Sequence, residues 1–91
     1  MASGTLQKDA NQFVAGSDNV TDANAFLTGG VRMAPAATEN IPLANVGMLV
    51  NFARMDGEST NWILQFYVGT YADRLYFRTC DNGNWKNWKE V

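Results

Sequence analysis

Apolar and polar positions alternate with a period of two through much of the second half of the chain. Three segments show this pattern, at 46–54, 61–68 and 74–79. A period of two is typical of β-strands, because successive side chains point to opposite faces of a sheet. Both faces carry large apolar groups: in the second segment Trp62 lies on one face and Tyr67 on the other.

Turn signals separate the predicted strands. Asn82-Gly83 is the strongest, because both central residues of a type I′ hairpin need a positive φ. Asp56-Gly57 marks an earlier turn. A short strand at 31–34 precedes the long ones, and residues 85–91 form the last strand. The order predicts a small antiparallel meander of three or four strands after an initial short one.

One short helix is predicted at 21–28, near the N-terminal end. Phe26 and Leu27 fall on one face of it, and Gly29 and Gly30 stop it at once. A helix of about two turns is unstable alone in water, so its apolar face must dock on the sheet. The predicted fold class is therefore mainly β with one short helix, an α+β domain.

The predicted domain covers residues 18–91. Residues 1–17 are polar and without clear periodicity, which favours a tail or a junction to an upstream segment of a longer assembly. The alternative is a strand of the domain, because Phe13 and Val14 can pack. A sheet that is apolar on both faces needs cover on both sides. One short helix covers part of one face, and a symmetry-related copy is the simplest supplier of the rest.

The length supports the same interpretation. At 91 residues the chain fits one domain, and a domain of this size buries only about 60–65% of the surface of its unfolded chain. Small domains of this kind are stabilised by disulfides, metals or other subunits. Cys80 is the single cysteine and histidine is absent, so neither an intrachain disulfide nor a Cys/His zinc site can form. Oligomerisation is therefore the expected source of additional stability.

Charge and hydropathy exclude two classes of partner. The net charge is −2, from 7 basic and 9 acidic residues, whereas nucleic-acid binders usually present a basic face. The one basic cluster, Lys86 and Lys89, is typical of a solvated strand end. No apolar run approaches the roughly 20 residues that span a bilayer. The sequence therefore predicts no nucleic-acid partner and no membrane insertion.

Candidate chemistry for an enzyme is sparse. The common nucleophilic triads need a histidine, which this chain lacks. The acids that remain for a catalytic pair lie in predicted turns, where acids serve local backbone geometry: Asp56, Glu58, Asp73 and Asp81. The sequence predicts no catalytic site, no metal and no cofactor.

Five residues are candidates for ligand binding: Tyr71, Asp73, Arg74, Trp62 and Tyr67. The first three belong to a predicted loop after the second long strand, and loops carry a large share of binding functions. A tyrosine ring with polar neighbours can stack on a sugar and hydrogen-bond to it. A solvent-exposed turn without a ligand is the alternative.

Four residues are candidates for a structural or interface role: Gln65, Arg78, Trp85 and Trp88. Gln65 and Arg78 interrupt strands beside aromatic neighbours, which favours a buried polar network that fixes register or a subunit axis over ligand binding. The two tryptophans are three positions apart in a predicted strand. That spacing predicts opposite faces, with one ring in the core and one at a subunit contact or hairpin cap.

An ordered set of short motifs runs through residues 18–91. It consists of a short helical segment before Gly29-Gly30, a loop with Ile41-Pro42, a strand with Gln65, Tyr76-x-Arg78-Thr79, and Gly83-x-Trp85-x-x-Trp88-x-x-Val91. This set resembles the knob domain of pyocin and bacteriophage tail fibres.

The resemblance implies a homotrimeric, knob-like module on a tail or tail-like fibre. Such modules contribute to receptor recognition or to fibre assembly. The implied partners are further copies of the chain, other fibre or virion proteins, and a bacterial surface glycan. The implied location is the virion fibre, after synthesis in the host cytoplasm. Three hypotheses follow: a glycan-binding module, a trimerisation module without a ligand, and an accessory domain of a glycan-degrading enzyme.

Overall fold

The computed structural model describes residues 13–56 and 59–91. Within them, seven strands form one sheet. They are β1 (Val14–Asn19), β2 (Gly30–Ala34), β3 (Gly47–Asp56), β4 (Ser59–Gly69), β5 (Arg74–Asp81), β6 (Asn84–Trp85) and β7 (Lys89–Glu90). The spatial order follows the chain from β1 to β6, and β7 also pairs with β5. The described residues contain no helix long and apolar enough to cross a membrane.

The antiparallel meander is confirmed for β2 to β5. β4 and β5 contain the segments predicted for them, and β3 begins one residue after the predicted start at Val46. The hairpin after β5 is also as predicted, with φ of 53° at Asn82 and 83° at Gly83. The earlier turn joins β3 to β4, where Asp56 pairs with Ser59; Gly57 and Glu58 lie outside the described residues.

The sheet is mixed rather than wholly antiparallel, because β1 pairs with β2 in parallel. Phe13 to Ser17 thus lie at or in the sheet, which agrees with the alternative left open by the sequence. At Gly30 φ is 146°, and a Cβ atom there would lie 1.9 Å from the carbonyl oxygen of Val14. Only glycine allows this close approach. Arg32 Nη1 then donates to the same carbonyl oxygen at 2.9 Å.

The predicted helix at 21–28 is wrong. Only Ala23–Ala25 is helical, as a 3-10 turn capped by the Asp22 side chain, which accepts from the Asn24 backbone N–H. The reason lies in contacts that are distant in sequence. Gln65 Nε2 donates to the carbonyl of Ala23 at 3.1 Å, and Asn51 Nδ2 donates to that of Phe26 at 2.7 Å. These side-chain contacts hold the segment against the sheet in an irregular conformation, and the helical turn ends at Phe26, whose φ of −87° and ψ of 97° are extended.

The last strand is interrupted rather than continuous. β6 and β7 each pair with β5, and residues 86–88 between them are irregular. Trp85 and Trp88 consequently do not point to opposite faces: both rings stack on the guanidinium of Arg78. The prediction from their spacing fails because it assumed one unbroken strand.

The two faces of the sheet differ in cover. The covered face carries a buried core of Leu49, Tyr67 and Tyr76, and the segments 20–26 and 34–43 pack over it. The open face is apolar, and its side chains are half-buried or exposed. Its apolar residues are Val31, Met33, Met48, Val50, Phe52, Trp62, Leu64, Phe66, Val68, Leu75 and Phe77, and the exposed Arg54 and Thr79 lie on the same side at one end.

Candidate functional site

The open face is a continuous apolar surface on one side of the sheet. The register places Val50, Phe66 and Phe77 in one row across β3, β4 and β5. Its edges are more exposed than its centre: Met33 and Leu75 each keep 38% of their surface in water. Val50, Phe66 and Phe77 are half-buried, and none of them belongs to the buried core of the covered face.

An aromatic cluster extends the open face at one end. The Phe13 ring stacks on Phe52, with centroids 5.5 Å apart, and Phe52 meets Phe66 edge to face at 6.3 Å. Phe13 and Phe52 remain 45% and 54% exposed. Aromatic surface of this kind is stabilised when another surface covers it.

The covered face is organised by a row of buried polar side chains. Asn51, Gln65 and Arg78 lie side by side on β3, β4 and β5, and each is at most 5% exposed. Arg78 Nε donates to Gln65 Oε1 at 2.8 Å. In the segment above the sheet, the Ala23 carbonyl accepts from Gln65 and the Phe26 carbonyl accepts from Asn51. The row therefore fixes the covering segment on the sheet.

Arg78 lies between two indole rings. Its Cζ atom is 4.0 Å from the ring centroid of Trp85 and 4.5 Å from that of Trp88. Burial lowers the pKa of the Arg78 guanidinium to about 10, and nearby Asp22 opposes the shift. At neutral pH the group is thus a cation, and the two aromatic faces stabilise its charge. Trp88 Nε1 also donates to the Asn40 carbonyl at 2.8 Å, which ties the C-terminal segment to the covering loop.

Three buried polar atoms among the described residues have no partner: Asn24 Oδ1, Asn51 Oδ1 and Arg78 Nη2. All belong to side chains of the polar row or to the segment above it. A depression of about 80 Å³ lies beside Phe13 and Phe52, and Asn51 is also among its lining residues.

The structure separates the candidate ligand-binding residues. Trp62 lies on the open face and is 39% exposed. Tyr67 is fully buried on the covered face, and its hydroxyl donates to the Asn45 carbonyl at 2.6 Å, so its ring offers no surface to a ligand. Tyr71 lies in the turn after β4, and the end of β4 at Gly69 is about 23 Å along the strand from Trp62. The five residues therefore form no single site.

The turn between β4 and β5 holds the other three candidates. Tyr71 is 83% exposed at its tip, and Asp73 adopts a left-handed conformation with φ of 54°. The Arg74 guanidinium makes a bidentate ion pair with Glu90, with Nε 2.8 Å from Oε2. This pair raises the pKa of Arg74 and lowers that of Glu90. Tyr71 is thus the residue of this turn whose ring is free for contact.

The acids considered for catalysis do not converge. Asp73 lies at the turn after β4, whereas Asp81 ends β5 at the opposite end of the sheet. Glu58 lies outside the described residues. No group of three or more Cys, Asp or Glu residues in the described part of the chain is arranged to hold a metal ion.

Another depression among the described residues has a volume of about 140 Å³ and is lined by Val20, Thr21, Pro35, Ala37 and Thr38. It is smaller than the roughly 300–1,000 Å³ of pockets that enclose a drug-sized ligand.

Sequence reasoning missed Asn51 as a key residue. It is fully buried and its amide donates to the carbonyls of Phe26 and Thr28. The signal was present, because an amide stands between apolar neighbours on a strand otherwise rich in apolar residues. It was read as one position of an alternating pattern.

Comparison with known proteins identifies the fold. The chain superimposes on an N-truncated R2-type pyocin tail fibre with a TM-score of 0.67 and 22% sequence identity, covering 88% of this chain and 34% of that one. A C-terminal fragment of the R2 pyocin fibre of P. aeruginosa gives the same TM-score and identity, over 88% of this chain and 23% of that one. A corresponding R1 pyocin fibre fragment gives a TM-score of 0.61 at 22% identity, over 97% and 23%.

No protein-family model and no curated protein matches the chain. The chain spans about a third or less of the length of the fibre chains it matches. These likenesses show that it has the fold of a domain of pyocin tail fibres, which agrees with the fold expected from the resemblance.

Proposed function

We propose that this chain is a non-catalytic module of a phage or phage-tail-like fibre, and that it assembles as a homotrimer through the open face. The observation that carries the proposal is that one face of the sheet is closed by the chain's own loops while the other stays apolar and open. In a fibre, that face turns toward the common axis. Other fibre or virion proteins are then its neighbours along the axis, and the virion is its location.

The size of the open face supports self-association. Phe13, Phe52 and Trp62 alone leave on the order of 250 Å² of aromatic surface in water, given that such side chains bury about 150–250 Å² each. Met33, Leu75 and the half-buried centre of the face add to this area. Soluble monomers rarely expose contiguous apolar patches of more than a few hundred Å².

The kind of partner follows from the shape of the molecule. A flat apolar surface without charged side chains in its central row suits a copy of itself, because cyclic symmetry brings the same surface together around an axis. The number three comes from the resemblance of residues 18–91 to tail-fibre knob domains. The likeness to pyocin fibres supports an axial arrangement, since a fibre is built around a long axis.

Light scattering of the purified chain tests the proposal, with an expected mass three times that of one chain. Val50 lies in the central row of the open face. We expect Val50→Asp to give a folded monomer, because an aspartate on that row cannot be buried without a partner. Thr70→Asp, in the exposed turn after β4, is the control and keeps the trimer. A monomeric wild-type chain contradicts the proposal.

A second function, recognition of a bacterial surface glycan, is favoured by one observation. Tyr71 keeps 83% of its surface in water on a turn whose backbone is fixed by the left-handed Asp73 and the Arg74–Glu90 pair. An exposed, positioned ring is a suitable stacking surface for a sugar. Three such turns on one trimer would raise avidity without a strong single site.

Binding of the wild-type chain to an array of bacterial surface glycans tests this second function. We expect Tyr71→Ala to abolish binding while the trimer mass is unchanged. Thr70→Ala, the neighbouring substitution, keeps both. Binding that survives the loss of Tyr71 assigns recognition to another surface.

A further inference from the structure

The hairpin of β3 and β4 extends beyond the rest of the sheet. The pairing of β3 with β2 stops at Asn51, opposite Gly30, and the pairing of β4 with β5 stops at Ile63, opposite Cys80. Beyond these points the described residues of the two strands pair only with each other. We call residues 52–56 and 59–62 the arm. It contributes to a molecule 44 Å long and 26 Å by 20 Å across.

An arm of two strands needs support. Isolated two-stranded hairpins are marginally stable in water, and unpaired strand edges attract other strands. From outside the hairpin, Phe13 supports the arm by stacking on Phe52. Even with this contact Phe52 stays 54% exposed, and Trp62 on the adjacent strand stays 39% exposed.

The exposed aromatics of the arm are continuous with the open face. Phe52 contacts Phe66, which lies in the central row, and Trp62 lies on the same side of β4. The centre of the open face is half-buried by its own neighbours, whereas Phe52 and Trp62 are exposed, so an association that reaches the arm removes additional apolar surface from water. A specific interface buries about 800 Å² per partner, which favours an interface that includes the arm.

We infer that the arm of one copy packs through Phe52 and Trp62 against a neighbouring copy of this chain, as a clasp that extends the contact between their open faces. The inference rests on the proposed function, because it assigns part of the same assembly. Its occupant is a second copy, since a copy seated on the open face meets the aromatic cluster that leads onto the arm.

Analytical ultracentrifugation over a range of protein concentrations tests the clasp. We expect Phe52→Ser and Trp62→Ser each to weaken association about tenfold or more, the loss typical of buried aromatic anchors. Tyr71→Ser is the matched control, because it removes a more exposed aromatic ring from the opposite end of the sheet. It should leave the association constant unchanged.

The outcomes separate this inference from the proposed function. If the wild-type chain is monomeric at all concentrations, both are wrong. If it is a trimer and both arm variants associate as tightly as the wild type, the clasp is wrong and the assembly through the open face stands. Far-UV circular dichroism verifies that the variants are folded.

Hydrogen exchange of the unmodified chain gives a second measurement that needs no substitution. In the trimer we expect the backbone amides of the arm to exchange more slowly than those of the turn at 70–73. Arm amides that exchange as fast as that turn in a trimer overturn the clasp.

Discussion

The two faces of the sheet are built from alternate residues of the same strands, yet they are completed differently. On the covered face, Asn51, Gln65 and Arg78 stand among large apolar groups and hold the overlying segment by hydrogen bonds. On the open face, the corresponding row of Val50, Phe66 and Phe77 is wholly apolar. The chain covers itself where directional contacts specify the cover, and leaves the face without them open.

This difference separates the contacts that fold one chain from those that are available for contact between chains. Hydrogen bonds have geometry, so a polar row selects one arrangement of an irregular loop. The burial of apolar surface has no directional requirement, so any close-fitting cover stabilises it, including another copy of the chain. We therefore expect substitutions on the covered face to change the free energy of unfolding, and substitutions on the open face to change association.

The largest effect is expected for Arg78→Met. It removes the charged donor to Gln65 and the cation between Trp85 and Trp88, so the free energy of unfolding should fall by about 3 kcal/mol. Urea unfolding at fixed protein concentration measures it. Lys86→Met, at an exposed position, should change the value by less than about 0.5 kcal/mol. Equal effects of the two substitutions would show that the polar row does not specify the cover.

A smaller loss is expected for Asn51→Ala. The carbonyls of Phe26 and Thr28 lose their donor in a buried environment, so the free energy of unfolding should fall by about 2 kcal/mol. The same urea experiment applies, with Asn87→Ala at an exposed position as control. A value near that of the control would mean that water replaces the amide without loss.

The open face is probed by Leu75→Ser. We expect association to weaken by about 1 kcal/mol per copy, from the apolar surface no longer buried, while the unfolding of the separated chain is nearly unchanged. Leu27→Ser is a close match, because Leu27 is 39% exposed against 38% for Leu75 but lies off the open face. Sedimentation equilibrium compares them. Equal association constants for the two variants would show that Leu75 lies outside the contact between copies.

The smallest effect concerns pH. Burial, with a contribution from Tyr76, raises the pKa of Tyr67, whereas the unfolded chain titrates near a pKa of about 10. The folded chain keeps a proton that the unfolded chain has lost, so this stability is complete below about pH 10 and is lost as the pH rises through the folded-state pKa. In urea titrations, Tyr67→Phe should flatten the alkaline decline and Tyr71→Phe should not.

The alternation of the strands predicted the two faces well. The division of β3 and β4 into inward and outward residues, and the Asn82-Gly83 hairpin, follow from local geometry that a sequence records directly. The need to cover two apolar faces also followed from the pattern, although the sequence did not show which face the chain covers itself.

What the sequence did not show depends on contacts between distant positions. The segment at 21–28 has a helical pattern, but donors from Gln65 and Asn51 on distant strands hold it against the sheet as an irregular segment. Tyr67 looked available because the loop that buries it has no periodicity. The side of Trp88 depends on the break after Trp85 and on the position of Arg78, which no spacing rule contains.

The stacking of two indoles on one guanidinium also makes the molecule its own spectroscopic probe. Trp85 and Trp88 lie in a rigid, charged environment on the covered face, so they should dominate the near-ultraviolet circular dichroism, a signal that disappears when side-chain packing loosens. Trp62, the remaining tryptophan, lies partly in water on the opposite side. Its emission should shift to the blue when another subunit covers it. Folding and assembly can therefore be followed separately in one unlabelled sample.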